Sequence, residues 1–295
     1  MRERGLLYTA ADAAGIVFFT SIDVPLVAVQ GGKMQATRQL LVERLILFSV
    51  VSLTLTQSGI GQDPFEIQVY EYETVPKRKW NLETHLNYIA RGTRTFEGTV
   101  APSQHQLHLT YELTRGLTSR FELAGYLLLA RREADALEFV GWRLRPRVSL
   151  PESWPLPFKV SISGEIGFPR RAYEENSTTL EIRPILEKTV GRLQFDLNPV
   201  IGRALRGPGT GEGWDFEPGV RVAYEASKKL DFTLEYYGGT GPLFDPLPAR
   251  EQVHQFFPGF DLKLRENTVW NFGIGIGATP AGNRLVYKSR IGILF

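Results

Sequence analysis

Cysteine is absent from all 295 residues. That excludes a disulfide framework, a thiolate metal site and a cysteine nucleophile. Histidine is scarce. The four residues, His85, His105, His108 and His254, never fall at the HxxxH or HExxH spacing, so no histidine-based zinc site and no cofactor are expected. An excess of one charge is also lacking, with 34 basic against 32 acidic residues and a net charge of +2. A nucleic-acid partner, which calls for a positive face, is therefore not expected. GxSxG, Walker A and GxGxxG patterns are missing too, and no acidic metal cluster occupies a loop. What is present is 43% hydrophobic, 12% aromatic and 22% charged. This composition suits neither a disordered chain nor a bundle of membrane helices.

The longest uncharged apolar run, Leu45 to Leu55, lies near the N-terminus. It is shorter than the roughly 20 residues of a spanning helix. Arg38 and Arg44 precede it, and Gly59 and Gly61 follow it before Gln62. This order of basic, apolar and small residues predicts a cleaved secretory signal over residues 34–61. Residues 1–33 precede Met34 and fit poorly in front of such a signal, so translation is expected to start at Met34, with residues 1–33 a spurious extension. The alternative is that "AGIVFF" and "VPLVAV" form an extra apolar segment outside the fold. Residues 62–79 are expected to form a periplasmic segment and residues 80–295 the folded domain.

From Trp80 onward the hydrophobic period is two. In "WDFEPGVRVAY", Trp214, Phe216, Val220 and Val222 share one face, and Asp215, Glu217 and Arg221 the other. "KLDFTLEYY" and "TLEIRPILEK" repeat the alternation. About twelve strands are predicted, near 80–90, 103–113, 118–130, 136–149, 157–168, 178–189, 191–204, 213–226, 229–239, 250–265, 268–279 and 283–295. Most reach ten residues or more, whereas soluble strands usually have about five or six and tilted transmembrane strands about 9–11. Short turns such as "TRGL", "VGR" and "RENT" alternate with long loops such as "PRRAYEENST" and "GGTGPLFDPLPAR". Those features predict an all-β fold, a transmembrane antiparallel up-and-down β-barrel with short periplasmic turns and longer extracellular loops. The alternative is a soluble β-sandwich, which also alternates. Aromatic residues near strand ends (Trp80, Tyr88, Phe158, Phe168, Trp214, Tyr224 and Trp270) suit lipid-interface girdles. Pro184, Pro199 and Pro218 sit awkwardly inside a closed sheet and are expected at bulges or rims.

A membrane sheet must close on itself, so its apolar faces turn to lipid and its charged faces line the lumen. Candidate lumen or solute-path residues are Glu122, Arg143, Arg145, Arg147, Glu165, Arg183, Glu217 and Arg221, with Arg120 and others beside them. Arg143, Arg145 and Arg147 share one face of one strand and form a guanidinium column. It could bind an anion or polarise a constriction, or it could pair with Glu122 and Glu165 on flanking strands and fill the lumen. Gly273, Gly275 and Gly277 face inward and leave space for a neighbour or a solute. A lipid-hydrolysing barrel would need a serine and a histidine close together on the wall. Ser103 and His105 flank Gln104, but in the reverse order to that enzyme's motif, and no catalytic residues are assigned.

At "YELTRGLTSRFELAGYL" the chain resembles a family of bacterial outer-membrane barrels described as putative transporters linked to the meta-pathway of phenol degradation. Gly116, Leu117, Thr118, Arg120, Phe121, Glu122 and Leu123 carry the likeness, with Ser119 in place of the usual acid. The resemblance implies an outer-membrane location and a passive route for small, aromatic or hydrophobic solutes. A closed structural or ligand-binding barrel is the competing expectation. At the other end, "LVYKSRIGILF" places Tyr287, Ile291, Ile293 and Phe295 on one face. A final strand ending on an aromatic residue resembles the signal read by the outer-membrane barrel assembly machinery. Membrane lipid, that machinery and a small solute are therefore the expected partners.

Overall fold

A computed structural model describes residues 63–132 and 135–295. The expected signal at 34–61 and the extension at 1–33 lie outside the described residues. Twelve strands follow in order: β1 (Trp80–Arg91), β2 (Leu107–Gly116), β3 (Phe121–Arg131), β4 (Glu138–Ser149), β5 (Lys159–Pro169), β6 (Thr178–Val190), β7 (Leu193–Arg206), β8 (Asp215–Ser227), β9 (Leu230–Gly239), β10 (Val253–Arg265), β11 (Thr268–Gly277) and β12 (Leu285–Leu294). Each pairs antiparallel with its sequence neighbours, and β1 pairs with β12, so the sheet closes into a barrel. No helix among the described residues is long and apolar enough to cross a membrane, a statement that leaves strands untouched.

Burial runs opposite to that of a soluble protein. Leu234, Phe232, Ile276 and Trp142 are exposed on the outer wall, whereas Glu112, Glu122, Asp196 and Arg145 are buried within. Such an inversion is stable only where lipid covers the outside. The outer aromatic residues fall into two belts. Trp80, Phe158, Tyr224 and Trp270 mark the short-turn rim, and Tyr88, Phe168 and Trp214 the long-loop rim. On the long-loop side Trp142 and Phe168 stack with ring centroids 4.2 Å apart.

The closing seam runs from Asn81↔Leu294 to Arg91↔Leu285. Trp80 and Phe295 extend it by exchanging two backbone hydrogen bonds, each 2.8 Å. The terminal residue is thus tied into the wall, and Tyr287, Ile291, Ile293 and Phe295 all face outward.

Three expectations need correction. The prolines do not sit at rims. Pro199 lies directly opposite Pro218, and the pairing of β6 with β7 is interrupted between Ile182↔Ile201 and Leu186↔Leu197, where Pro184 and Pro199 fall. The three form a row across β6, β7 and β8, a stretch where the ladder lacks N–H donors. Residues 103–106 are not part of β2, because His105 adopts a positive φ of 62° and the chain turns there. Arg120 lies exposed in the β2–β3 turn, outside the lumen.

Candidate functional site

Residues expected to form a separate periplasmic segment instead run through the barrel. Phe65, Glu66, Ile67, Val69, Tyr70 and Tyr72 are all buried. The cause lies in the wall. Although most inward positions are polar, two patches are apolar. Ala124, Leu128, Ala130 and Val140 form one, and Phe65 packs into it. Ile89, Tyr237, Phe257 and Val286 form the other, and Ile67 and Val69 cover it. Burying three such side chains contributes roughly 1.5–3 kcal/mol each.

The segment joins no β-ladder. Its backbone is held by wall side chains, which satisfy buried groups that would otherwise be unpaired. Asn198 binds Tyr70 twice, accepting from its N–H at 2.7 Å and donating to its carbonyl at 3.0 Å. Glu187 accepts from the Tyr72 N–H at 2.9 Å and Glu122 from the Val75 N–H at 2.6 Å. Arg147 donates to the carbonyls of Glu71 and Glu73, Asn87 to that of Pro64, and Lys288 to that of Ile67. Near the short-turn rim Gly116 lets the chain pass, because a β-carbon there would collide with the Pro76 backbone.

The guanidinium column is paired on every member. Arg143 meets Glu165 at 3.1 Å and also Asp63, and Arg145 meets Glu112 at 2.7 Å and Glu122 at 3.3 Å. Arg147 lies 3.7 Å from Glu122. Arg145, Arg147 and Arg183 also surround the Tyr70 ring at 4.3, 5.5 and 4.6 Å, a cation–π cage about one residue of the segment. Arg183 pairs with Glu181 at 2.6 Å. The expected path residues therefore converge, but on the inserted segment. Arg221 belongs to a second cluster with Asp196 at 2.7 Å, Asp261 at 2.6 Å and Glu71 at 3.3 Å. Glu217 makes no ion pair among the described residues and lines a small outer pocket with Arg183, Glu181 and the segment's Asp63 and Glu66.

The segment leaves unequal spaces. A cavity of about 480 Å³ opens at the short-turn rim, where Arg192 and Glu266 stand, and reaches up to Glu112, Arg145 and Arg290. The outer pocket holds only about 30 Å³. Above Phe65, Tyr173 of the β5–β6 loop packs edge-on at 5.9 Å and donates to Glu138 at 2.7 Å. Burial, and then that bond to a carboxylate, push the Tyr173 phenol above its ordinary pKa. Burial likewise raises Glu174 beside it, although Asn176 donates to its carboxylate.

No family model and no curated protein matches the chain. Solved structures do match. An outer-membrane channel from Pseudomonas putida F1 superposes with a TM-score of 0.50 at 11% identity, covering 78% of this chain and 100% of that one. A KdgM porin in complex with disordered oligogalacturonate gives 0.44 at 9%, covering 73% and 98%. The Acinetobacter baumannii outer-membrane protein Omp33 gives 0.41 at 7%, covering 75% and 100%. The fold is that of an outer-membrane β-barrel. At 11% identity the Pseudomonas channel speaks to architecture alone, and the phenol meta-pathway family finds no specific support.

Several functional positions were not singled out from sequence. Tyr70, Tyr126, Asn198 and Glu235 all bear on the inserted segment or its surroundings, Glu235 by pairing at 2.5 Å with Lys288, which the alternation of the last strand does place in the lumen. The alternation in "FEIQVYEYE" was the available signal. Of the inward glycines, Gly275 makes room for the Phe257 ring and Gly273 for the Lys288 side chain, so neighbours fill that space. The Ser103 hydroxyl bonds Thr93 and Asn283, while His105 stacks on Tyr88, and neither lies on a strand.

Proposed function

We propose that this chain is an outer-membrane channel for small solutes, held closed here by residues 63–75 and acting without catalysis. The observation that carries the reading is how that segment is held. It fills the lumen, yet it contributes no strand to the wall, so it can leave without breaking the barrel. Placement in the outer membrane follows from the exposed apolar wall, and export from the signal expected at 34–61. The C-terminal strand would engage the assembly machinery through Tyr287, Ile291, Ile293 and Phe295. The solute class draws on both ends of the lumen. The cavity at the short-turn rim is charged, whereas the patches behind the segment, including Leu128, Val140 and Phe257, are apolar. That sequence of surfaces suits small aromatic or hydrophobic solutes bearing a polar group. Planar-bilayer recording of the refolded chain and of a variant lacking residues 63–75 tests the proposal. Discrete currents are expected from both, with the deletion variant open far longer.

The ion-paired lumen favours a second reading, a closed structural or ligand-binding barrel. Under that reading neither protein conducts at any salt concentration.

A further inference from the structure

We propose that Glu83, His85 and Glu112 form a binding site for a divalent transition-metal cation, such as zinc, in the wall of the short-turn cavity. Glu83 on β1 lies directly opposite Glu112 on β2, and both side chains are buried. Like charges directly opposite one another on adjacent strands are destabilising, so something must offset them. Two arginines do so from outside the pair. Arg290 holds Glu83 at 2.9 and 3.0 Å, and Arg145 holds Glu112 at 2.7 Å. Between the two carboxylates stands His85, two residues from Glu83 on the same face and 1% exposed.

The His85 ring nitrogen carries the argument. Its Nε2 is buried without a hydrogen-bond partner. It lies 3.6 Å from Oε2 of Glu83 and 3.7 Å from Oε2 of Glu112, too far for a bond to either. Donors bound at about 2.0–2.2 Å to one ion stand roughly 3.0–3.6 Å apart, near the spacing seen. All three donor atoms lie within 4.8 Å of one another. One imidazole and two carboxylates suit zinc, manganese or ferrous ions better than calcium, which prefers oxygen alone. Glu83 and Glu112 also line the 480 Å³ cavity, which supplies an entry path and room for a water ligand. The remaining groups around the site are Thr114 and Tyr70 on Glu112, and Asn81 and the Gln68 amide on Glu83. None of them adds a positive charge. The Glu-x-His pair on a strand, completed by a cross-strand carboxylate, does not follow helical metal spacings.

The test uses the untagged, refolded chain in detergent, titrated with zinc by calorimetry. One equivalent should bind, and His85→Gln and Glu112→Gln should each weaken binding by about tenfold or more. Glu97→Gln, in an exposed loop, should leave it unchanged. Absence of binding up to millimolar zinc, or equal affinity in His85→Gln, would overturn the proposal and leave a histidine–carboxylate contact only. Should His85→Gln fail to fold, copper-loaded wild type decides by electron paramagnetic resonance. Hyperfine coupling to one imidazole nitrogen supports the site, and an oxygen-only signal refutes it. Neither result depends on whether the barrel conducts.

Discussion

Replacing Asn198 by alanine should unlock the lumen while leaving the wall intact. The side chain is 1% exposed, points inward from β7 and makes both of its bonds to Tyr70. Its backbone pairing with Gly219 does not involve the amide. Two net hydrogen bonds contribute about 0.5–1.5 kcal/mol each, and the stranded Tyr70 N–H and carbonyl add a desolvation cost unless water reaches them. The inserted state should therefore lose about 2–4 kcal/mol, which at about 1.4 kcal/mol per decade shifts its equilibrium by roughly 30- to 1,000-fold. Phe65, Ile67 and Val69 still favour insertion, so the shift enlarges a minority population and need not empty the lumen. The assay is the open probability of single channels, run beside protease cleavage near Glu71. Open probability and cleavage rate should rise together. If both match wild type while the barrel still migrates heat-modifiably, the segment is not held as described.

Other consequences can be checked on the same preparation. Lys288→Met should cost about 3–5 kcal/mol in denaturant unfolding, because it strands Glu235 in a buried site, whereas Lys288→Met with Glu235→Met should recover much of that loss. Gly275→Val should destabilise by about 1–3 kcal/mol, since the added carbons meet the Phe257 ring, and a neutral result would mean that the ring has room to move. Leu234→Arg, on the outer face of β9, should cost about 2–4 kcal/mol if lipid covers that face. An unchanged midpoint in lipid vesicles would argue for a water-exposed wall.

The barrel was legible because a period of two, held over ten residues and repeated twelve times, allows few other architectures. Even strand ends fall within a few residues, as at β6, predicted at 178–189 and found at Thr178–Val190. The largest boundary error, at β2, came from treating Gln104–His105 as strand when a positive φ turns the chain there. The inward faces were legible where charged, as for Arg145 and Glu122, because a charge cannot face lipid. The inserted segment was not legible. Its anchor joins Tyr70 to Asn198 across 128 positions, and only the closed register brings them together. The row of Pro184, Pro199 and Pro218 is a similar case, with each residue visible alone and their adjacency set by strand pairing. Ala124 and Leu128 were likewise hidden, because apolar residues on both faces of β3 blur which side is lumen.

Displacement of the inserted segment is the central claim, and a disulfide lock tests it directly. The chain has no cysteine, so two can be introduced without competition. Val69 faces Gly219, whose added β-carbon would lie 3.3 Å from the valine methyl group, close enough for a bridge between Val69→Cys and Gly219→Cys. Single-channel recordings would be made on one preparation, oxidised and then reduced. The account predicts silence when oxidised and discrete openings after reduction. Equal conductance in both states would contradict it.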